Sequence, residues 1–331
     1  FLFICGDLKL IREKIKVLVT GSGGAGTLGR EIIKSFLMLR ESYEIIATNS
    51  NSLDLSLNDD VRIYKIPTSS SSDYVEKLLE ICKKERIQVI IPGSEPETEI
   101  ISKNSLIFSE KNIIVLTNRY DLVKLCSDKL SLSKFLNSKG ILSPKTFSLD
   151  EISEKDFSVY PLLIKPATGS GSRNVFVAQN FEEITFFSKY LIKQKVQPII
   201  QEYISGTDSE FSIGVLYCDD GKLTTSIAMR RNLHSGLASR RVIKSEQNES
   251  LIISSGISQG FFDDFFEIRK KAEDIASLLN SDGPINIQCR IKDGELYVFE
   301  INPRFSGTTS ARALVGCNEP DILTKFRMFG D

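Results

Sequence analysis

The sequence predicts an α/β domain followed by an α+β region, and three observations carry that prediction. Strand and helix signals alternate across residues 15–118, the arrangement of a parallel sheet with helices on both faces. From residue 206 onward, strand signals follow one another as hairpins, which reads as antiparallel sheet. Residues 119–205 mix the two patterns around a Gly/Ser loop. A chain of 331 residues also exceeds one domain of ~150. These patterns divide it into 1–118, 119–205 and 206–331.

Taken in order, Lys16–Thr20 is a compact apolar strand that runs into glycines, and a helix pattern follows over Leu28–Arg40. Strands are expected at Glu44–Thr48 and Arg62–Ile66, the latter ending at Pro67 and a serine-rich loop. Asp73 with Glu76 three residues on reads as a capping box, and Val75, Leu78, Leu79 and Cys82 recur at helical spacing. Strands at Gln88–Ile91 and Asn112–Leu116 flank a helix near Glu97–Ser109. A helix capped by Ser127 or Asp128 stops at Gly140, with Pro144 beyond. Strands at Leu162–Lys165, Asn174–Ala178 and Pro198–Tyr203 surround a helix near Phe181–Lys193. Two hairpins complete the chain, Glu210–Cys218 with Lys222–Met229, and one from Ile285 to Ile301 that turns at Asp293-Gly294.

Composition narrows the chemistry. With 42 Lys+Arg against 43 Asp+Glu, net charge is −1, so neither nucleic acid nor an anionic membrane is the expected partner. No apolar run approaches the ~18 residues that span a bilayer. The single histidine, His234, excludes a multi-His metal site. Six cysteines without a C-x-x-C pair read as reduced, buried thiols. Phe1–Cys5 is too short for a signal peptide, and a cytoplasmic protein is expected.

Gly21, Gly23 and Gly26 match G-x-G-x-x-G between a strand and a helix. A dinucleotide site also needs an acidic residue closing the second strand, where Thr48, Asn49, Ser50 and Asn51 stand instead. A tight turn that packs the helix, and holds at most a substrate anion, is the favoured reading.

Four features of the second half have convergent chemistry. Lys165-Pro166 is followed by Gly169-Ser170-Gly171-Ser172, a lysine with a small-residue flap suited to nucleotide phosphates. Gln201-Glu202-Tyr203-Ile204 ends an apolar strand, and Glu210 follows nearby. Free backbone groups there can read an adenine edge, and a carboxylate can accept from ribose. By itself, Glu210 is equally an exposed residue of an edge strand. In Val298–Arg304, period-two alternation puts Glu300 and Asn302 on one face while Phe299 and Ile301 point into the core. Their oxygens, with that of Gln288 on the partner strand, suit a hard divalent cation. A two-residue turn pairs 292 with 295 and leaves Gln288 and Glu300 on opposite faces. A three-residue loop with a bulge sets them directly opposite, and that odd loop is expected. Arg304 follows Pro303, where a guanidinium can meet a phosphoryl group or, alternatively, form a surface salt bridge.

The ordered series Asp128-Lys129, Lys165-Pro166 with its flap, Gln201-Glu202, Glu210, Gln288 and Glu300-x-Asn302-Pro303-Arg304 resembles the ATP-grasp superfamily. The likeness is greatest to members similar to the carbamoyl-phosphate synthetase large subunit and to the amino-acid ligase of pyrrolysine biosynthesis. Residues 15–118, with Ile91-Pro92-Gly93-Ser94-Glu95, look like the domain that precedes the grasp fold there.

The resemblance implies that Lys129 and Lys165 contact ATP phosphates under the 169–172 flap. It places Gln201, Glu202, Tyr203 and Ile204 at the adenine and Glu210 at the ribose. Gln288, Glu300 and Asn302 would bind one or two Mg²⁺ (Mn²⁺ as an alternative), and Arg304 would steady the transferred phosphoryl group. His234-Ser235-Gly236 is similar to a His-Thr-Gly stretch near the nucleotide. Arg230, Arg231, Arg240 and Arg241 cluster around it, candidates to clamp an acceptor carboxylate or else a solvated basic strand face.

The implied reaction joins a small-molecule carboxylate to an amine through an acyl phosphate; relatives are often dimers, and the sequence leaves the oligomeric state, a homodimer included, open. A single grasp unit and no glutaminase argue against carbamoyl phosphate synthesis by this chain alone. A nicotinamide oxidoreductase, a phosphotransferase on the same fold and a nucleotide-binding protein without turnover stand as the rival readings.

Overall fold

A computed structural model describes residues 13–24, 27–51, 61–152, 160–169, 171, 174–206, 209–219, 222–234, 239–244 and 250–330. The first region comprises β1 (Ile15–Val19), α1 (Leu28–Leu37), β2 (Tyr43–Asn49), β3 (Arg62–Lys65), α2 (Tyr74–Glu85), β4 (Val89–Ile91), α3 (Glu95–Lys103), α4 (Ser105–Ser109) and β5 (Ile114–Val115). Its strands form a parallel sheet in the order β3-β2-β1-β4-β5. Alternation explains the two-sided burial. Val17, Val19, Ile45 and Ala47 pack on Ile32, Ile33 and Phe36 of α1, whereas Leu18, Ile46 and Ile90 pack on Tyr74, Leu78 and Cys82 of α2.

Two local expectations change. The Asp73 side chain makes no cap bond to α2 and instead accepts from the Ser71 hydroxyl, so the capping box does not form. The single helix expected over Glu97–Ser109 is two, because Asn104 ends α3 and begins α4.

The middle region adds α5 (Tyr120–Ser127), α6 (Lys129–Ser138), β6 (Thr146–Ser148), β7 (Leu162–Pro166), β8 (Phe176–Ala178), α7 (Phe181–Lys193) and β9 (Pro198–Glu202). Helix α5 was not foreseen. Asp128 separates it from α6 and caps the latter, its carboxylate accepting from Ser131 N at 2.6 Å. The four strands form an antiparallel sheet ordered β6-β9-β7-β8, with α7 on one face.

The last region holds β10 (Glu210–Asp219), β11 (Lys222–Arg231), β12 (Ser239–Lys244), β13 (Ser250–Ser254), β14 (Gly260–Asp263), α8 (Phe266–Leu278), β15 (Pro284–Lys292), β16 (Glu295–Asn302), α9 (Thr309–Leu314) and α10 (Glu319–Phe329). An antiparallel sheet runs β14-β11-β10-β15-β16, and β12 pairs with β13 as a separate hairpin. One face of the large sheet, through Phe211, Ile213, Ile287, Cys289 and Ile301, packs on α8 and on Leu122, Leu132 and Leu136 of α5 and α6. The chain then returns to its beginning. Phe305 and Leu323 complete the core around α1 and β1, and Tyr43 donates to Asp321 Oδ1 at 2.6 Å.

Candidate nucleotide site

The other face of the large sheet is the floor of a cavity of about 1100 Å³. Cross-strand register arranges this floor in rows. Glu210 pairs with Arg290, Ser212 with Gln288 and then Glu300, and Gly214 with Asn286 and then Asn302. The expected metal triad therefore shares one face, but not for the reason foreseen. The Asp293-Gly294 turn has two residues, both at positive φ (53° and 80°), and pairs Lys292 with Glu295. The extra residue lies within the strand instead: Cys289 pairs with Val298 and Gln288 with Glu300, so Phe299 is a bulge. The bulge switches the inward parity from Leu296 and Val298 to Ile301. Phe299 leaves the core it was expected to join and lines the cavity beside Glu300.

Asn302 Nδ2 donates to Glu300 Oε1 at 3.2 Å, and both residues line the cavity with Gln288. Among the described residues no group of three His, Cys, Asp or Glu gathers as a metal cluster. The donor set here has one carboxylate and two amides, which fits a hard cation whose remaining ligands are phosphate oxygens.

The roof comes from β7 and the flap. Lys165 is 7% exposed, and burial first, then the neighbouring Lys129, pushes its pKa down to about 7 against the pull of Glu300. Lys129, the first residue of α6, donates to Gly169 O at 2.5 Å. Gly169 and Gly171 line the cavity; Ser170 and Ser172 fall outside the described residues. Two cations and a glycine flap thus face the oxygen-donor row.

At the end of β9, Gln201, Glu202, Tyr203 and Ile204 all line the cavity. Gln201 Nε2 donates to Thr146 Oγ1 at 2.9 Å, and the Tyr203 hydroxyl takes Ile252 N at 2.8 Å, tying β13 to this wall. The Ile204 carbonyl accepts from Arg290 Nη1 at 2.7 Å. Glu210 is wholly buried rather than at an exposed edge, its Oε1 paired with Arg231 and its Oε2 with Arg290 Nε at 2.9 Å.

The two arginines of the cluster whose side chains are described, Arg230 and Arg231, do not converge. Arg231 donates to Glu210 and to the carbonyls of Ser255 and Ile257 and does not line the cavity. Its neighbour Arg230 emerges on the opposite face, 6.0 Å from the Phe265 ring, because adjacent strand residues point oppositely. Side chains of Arg240 and Arg241 fall outside the described set, as do Ser235, Gly236, Gly26 and Cys5. His234 is exposed and does not line the cavity.

Of the glycine turn after β1, the described Gly21 and Gly23 pack tightly on protein. A Cβ on Gly21 would stand 2.2 Å from Glu97 Oε2, and one on Gly23 would stand 2.6 Å from Asn49 Nδ2. This close packing supports the reading of a turn that packs the helix.

Arg304 reaches the cavity and is held on two sides, by Phe305 O and by Glu95 Oε1, each at 2.8 Å. Arg290, and the place of Glu95 beside Arg304, escaped the sequence reading. Alternation counted from Gln288 would have found Arg290; Glu95 stood in the Ile91–Glu95 motif, but nothing local joins it, on α3 of the first region, to this cavity.

Comparison with known proteins agrees with this geometry. A family model described as ATP-grasp domain matches residues 126–308, and one described as PylC-like, N-terminal domain matches 17–116. The carbamoyl phosphate synthase large chain of Clostridium beijerinckii is 28% identical over 310 residues, 88% of this chain but 27% of that protein. That of Clostridium perfringens is 27% identical over 97% of this chain and 30% of its own length. The chain thus spans under a third of these curated relatives. Among solved structures, an L-amino acid ligase from Bacillus licheniformis superposes with a TM-score of 0.67 at 16% identity, over 96% of this chain and 75% of that one. A D-alanine–D-alanine ligase from Bacillus anthracis gives 0.61 at 17%, over 95% and 97%. The fold, the shared cavity face and a family match over more than half of its residues make this chain a member of the ATP-grasp family.

Proposed function

We propose that the protein is an ATP-dependent carboxylate–amine ligase. One observation carries the reading: Gln288, Glu300 and Asn302 line the same cavity as Lys129, Lys165 and Arg304. Oxygen donors on the floor and cations on the roof and rim are what a metal-bound triphosphate requires. Gln288, Glu300 and Asn302 would hold Mg²⁺, which when bound would neutralise charge at the phosphates. Lys129 and Lys165 hold the phosphates, Glu202 to Ile204 line the adenine, and Arg304 meets the transferred phosphoryl group.

Glu210, expected at the ribose, gives its two oxygens to Arg231 and Arg290 and shapes the adenine side of the cavity through that buried pairing instead. A substrate carboxylate attacks the γ-phosphorus in line, giving an acyl phosphate and ADP. An amine then displaces phosphate to form the amide. The chain's share is positioning and charge neutralisation, with the flap excluding water from the acyl phosphate. A cavity of about 1100 Å³ exceeds the common ligand range of ~300–1000 Å³, leaving room for a second substrate beside a nucleotide.

Glu300→Ala is expected to lower Mg-dependent ADP formation by at least ~100-fold in a screen of carboxylates against amines, with the circular dichroism spectrum retained. Undiminished turnover in that variant would remove the metal assignment.

A further inference from the structure

Where the N-terminal region meets the cavity, an ion pair between Glu95 and Arg304 bridges the two. Glu95 is the first residue of α3, positioned by β4 and by Ser94, whose side chain caps the helix. Its Oε1 lies 2.8 Å from Arg304 Nη2, two residues beyond Asn302. Neither partner is sealed off: side-chain exposures are 31% for Glu95 and 16% for Arg304, and both line the cavity. Arg304 Nη1 is fixed on the Phe305 carbonyl, while its Nε is buried without a hydrogen-bond partner. Nη2 is thus the part of the guanidinium that faces an exchangeable anion. One turn further along α3, Thr98 and Glu99 line the same wall. This wall is acidic, whereas Lys129 and Lys165 make the nucleotide side cationic.

We propose that Glu95 is the residue that selects the amine substrate. This inference rests on the ligase reading above. Glu95 occupies the anion position on Arg304 while that position is empty of substrate. The phosphoryl group of the acyl phosphate takes its place on Arg304, because a dianion outcompetes a single carboxylate for a guanidinium. Glu95, released on the N-terminal side of the reacting carbon, then accepts hydrogen bonds from the incoming ammonium and takes one of its protons, so that the neutral amine attacks the acyl carbon. The C–O bond to phosphate breaks as the C–N bond forms, and the second N–H proton leaves with the phosphate. The amine is thereby oriented opposite the nucleotide, and an uncharged nucleophile of similar size gains no such contact. The substrate class implied is a primary amine carrying positive charge at neutral pH.

The test uses the full chain and its Glu95→Gln variant. Inorganic phosphate is titrated onto the MgADP complex, and kcat/KM is compared for the preferred amine and for hydroxylamine, which is uncharged at pH 7.5. Removing the competing carboxylate is expected to tighten phosphate about tenfold and to lower the amine-to-hydroxylamine selectivity at least tenfold, a charge-assisted bond's worth. Glu95→Asp, which keeps the charge, is expected to recover part of that selectivity. Phosphate affinity unmoved, or both nucleophiles weakened equally, overturns the proposal and leaves the ligase reading standing. No binding of MgADP by the unchanged chain overturns both.

Discussion

Lys165 is the residue whose chemistry depends most on its surroundings. Buried beside Lys129, it titrates near pH 7 instead of its ordinary 10.5. The sign of the consequence is fixed by linkage. Between about pH 7 and 10.5 the unfolded chain holds a proton at this site that the native chain lacks, so native stability rises with pH across that window. Below pH 7 both states are protonated and the cost of the buried charge is fully present. Lys165→Met is therefore expected to raise the melting temperature of the nucleotide-free protein more at pH 7 than at pH 10, measured by differential scanning fluorimetry. It is also expected to abolish the proton uptake that accompanies MgATP binding at pH 8–9, measured by calorimetry in buffers of different ionisation enthalpy.

Thiols show the same desolvation with less consequence. Burial raises Cys82 and Cys126 to about 12, which keeps them unreactive at neutral pH.

At the scale of elements, the β15–β16 hairpin decides whether the oxygen donors meet. Its turn needs left-handed backbone at two successive residues, Asp293 and Gly294, and an aspartate-glycine pair satisfies that geometry. Gly294→Ala is expected to cost about 1 kcal/mol in urea denaturation. It should leave Mg-dependent ADP formation at saturating substrate unchanged, since the bulge at Phe299, rather than the turn, sets Glu300 opposite Gln288. The position of that bulge was not legible in the sequence. Residues 295–302 alternate well enough to identify a strand, but an extra residue can be absorbed at the turn or along the strand with the same pattern. The choice rests on which side chains the core accepts, and Val298 and Ile301 are both buried there. Helix α5 escaped for a related reason. Its apolar residues Leu122, Val123 and Cys126 make a short pattern without a strong cap, and its burial under β16 stabilises it.

Across the whole molecule, the first sheet does not stand alone. Phe305 and Leu323 fill its core from the far end of the chain, Asn318 Nδ2 bonds Ser35 O at 3.0 Å, and Ser310 bonds the buried Glu31. Leu323→Ala is expected to cost 2–5 kcal/mol and to lower unfolding of both regions in a single transition, followed by urea denaturation with circular dichroism and tyrosine fluorescence. Separate transitions, with the second region unmoved, would show that this shared core does not couple them. The same return of the chain places Arg304 against Glu95, residues 209 positions apart that share one ion pair. None of the described helices is long and apolar enough to cross a membrane.

By itself the sequence determined the alternating strands and helices of the first region, the two long hairpins of the last and the residue types of a phosphate and metal site, because periodicity and turn chemistry act over neighbouring residues; β6, β12 to β14, α5 and α8 to α10 were not read from it. Tertiary structure decided which of those residues share a cavity. Arg230 and Arg231 part because adjacent strand residues face opposite ways, and Glu210 is committed to Arg231 and Arg290 by burial that no local pattern announces. Burial in a low-dielectric interior demands a partner for every charge, and the partner is chosen by which strands lie side by side.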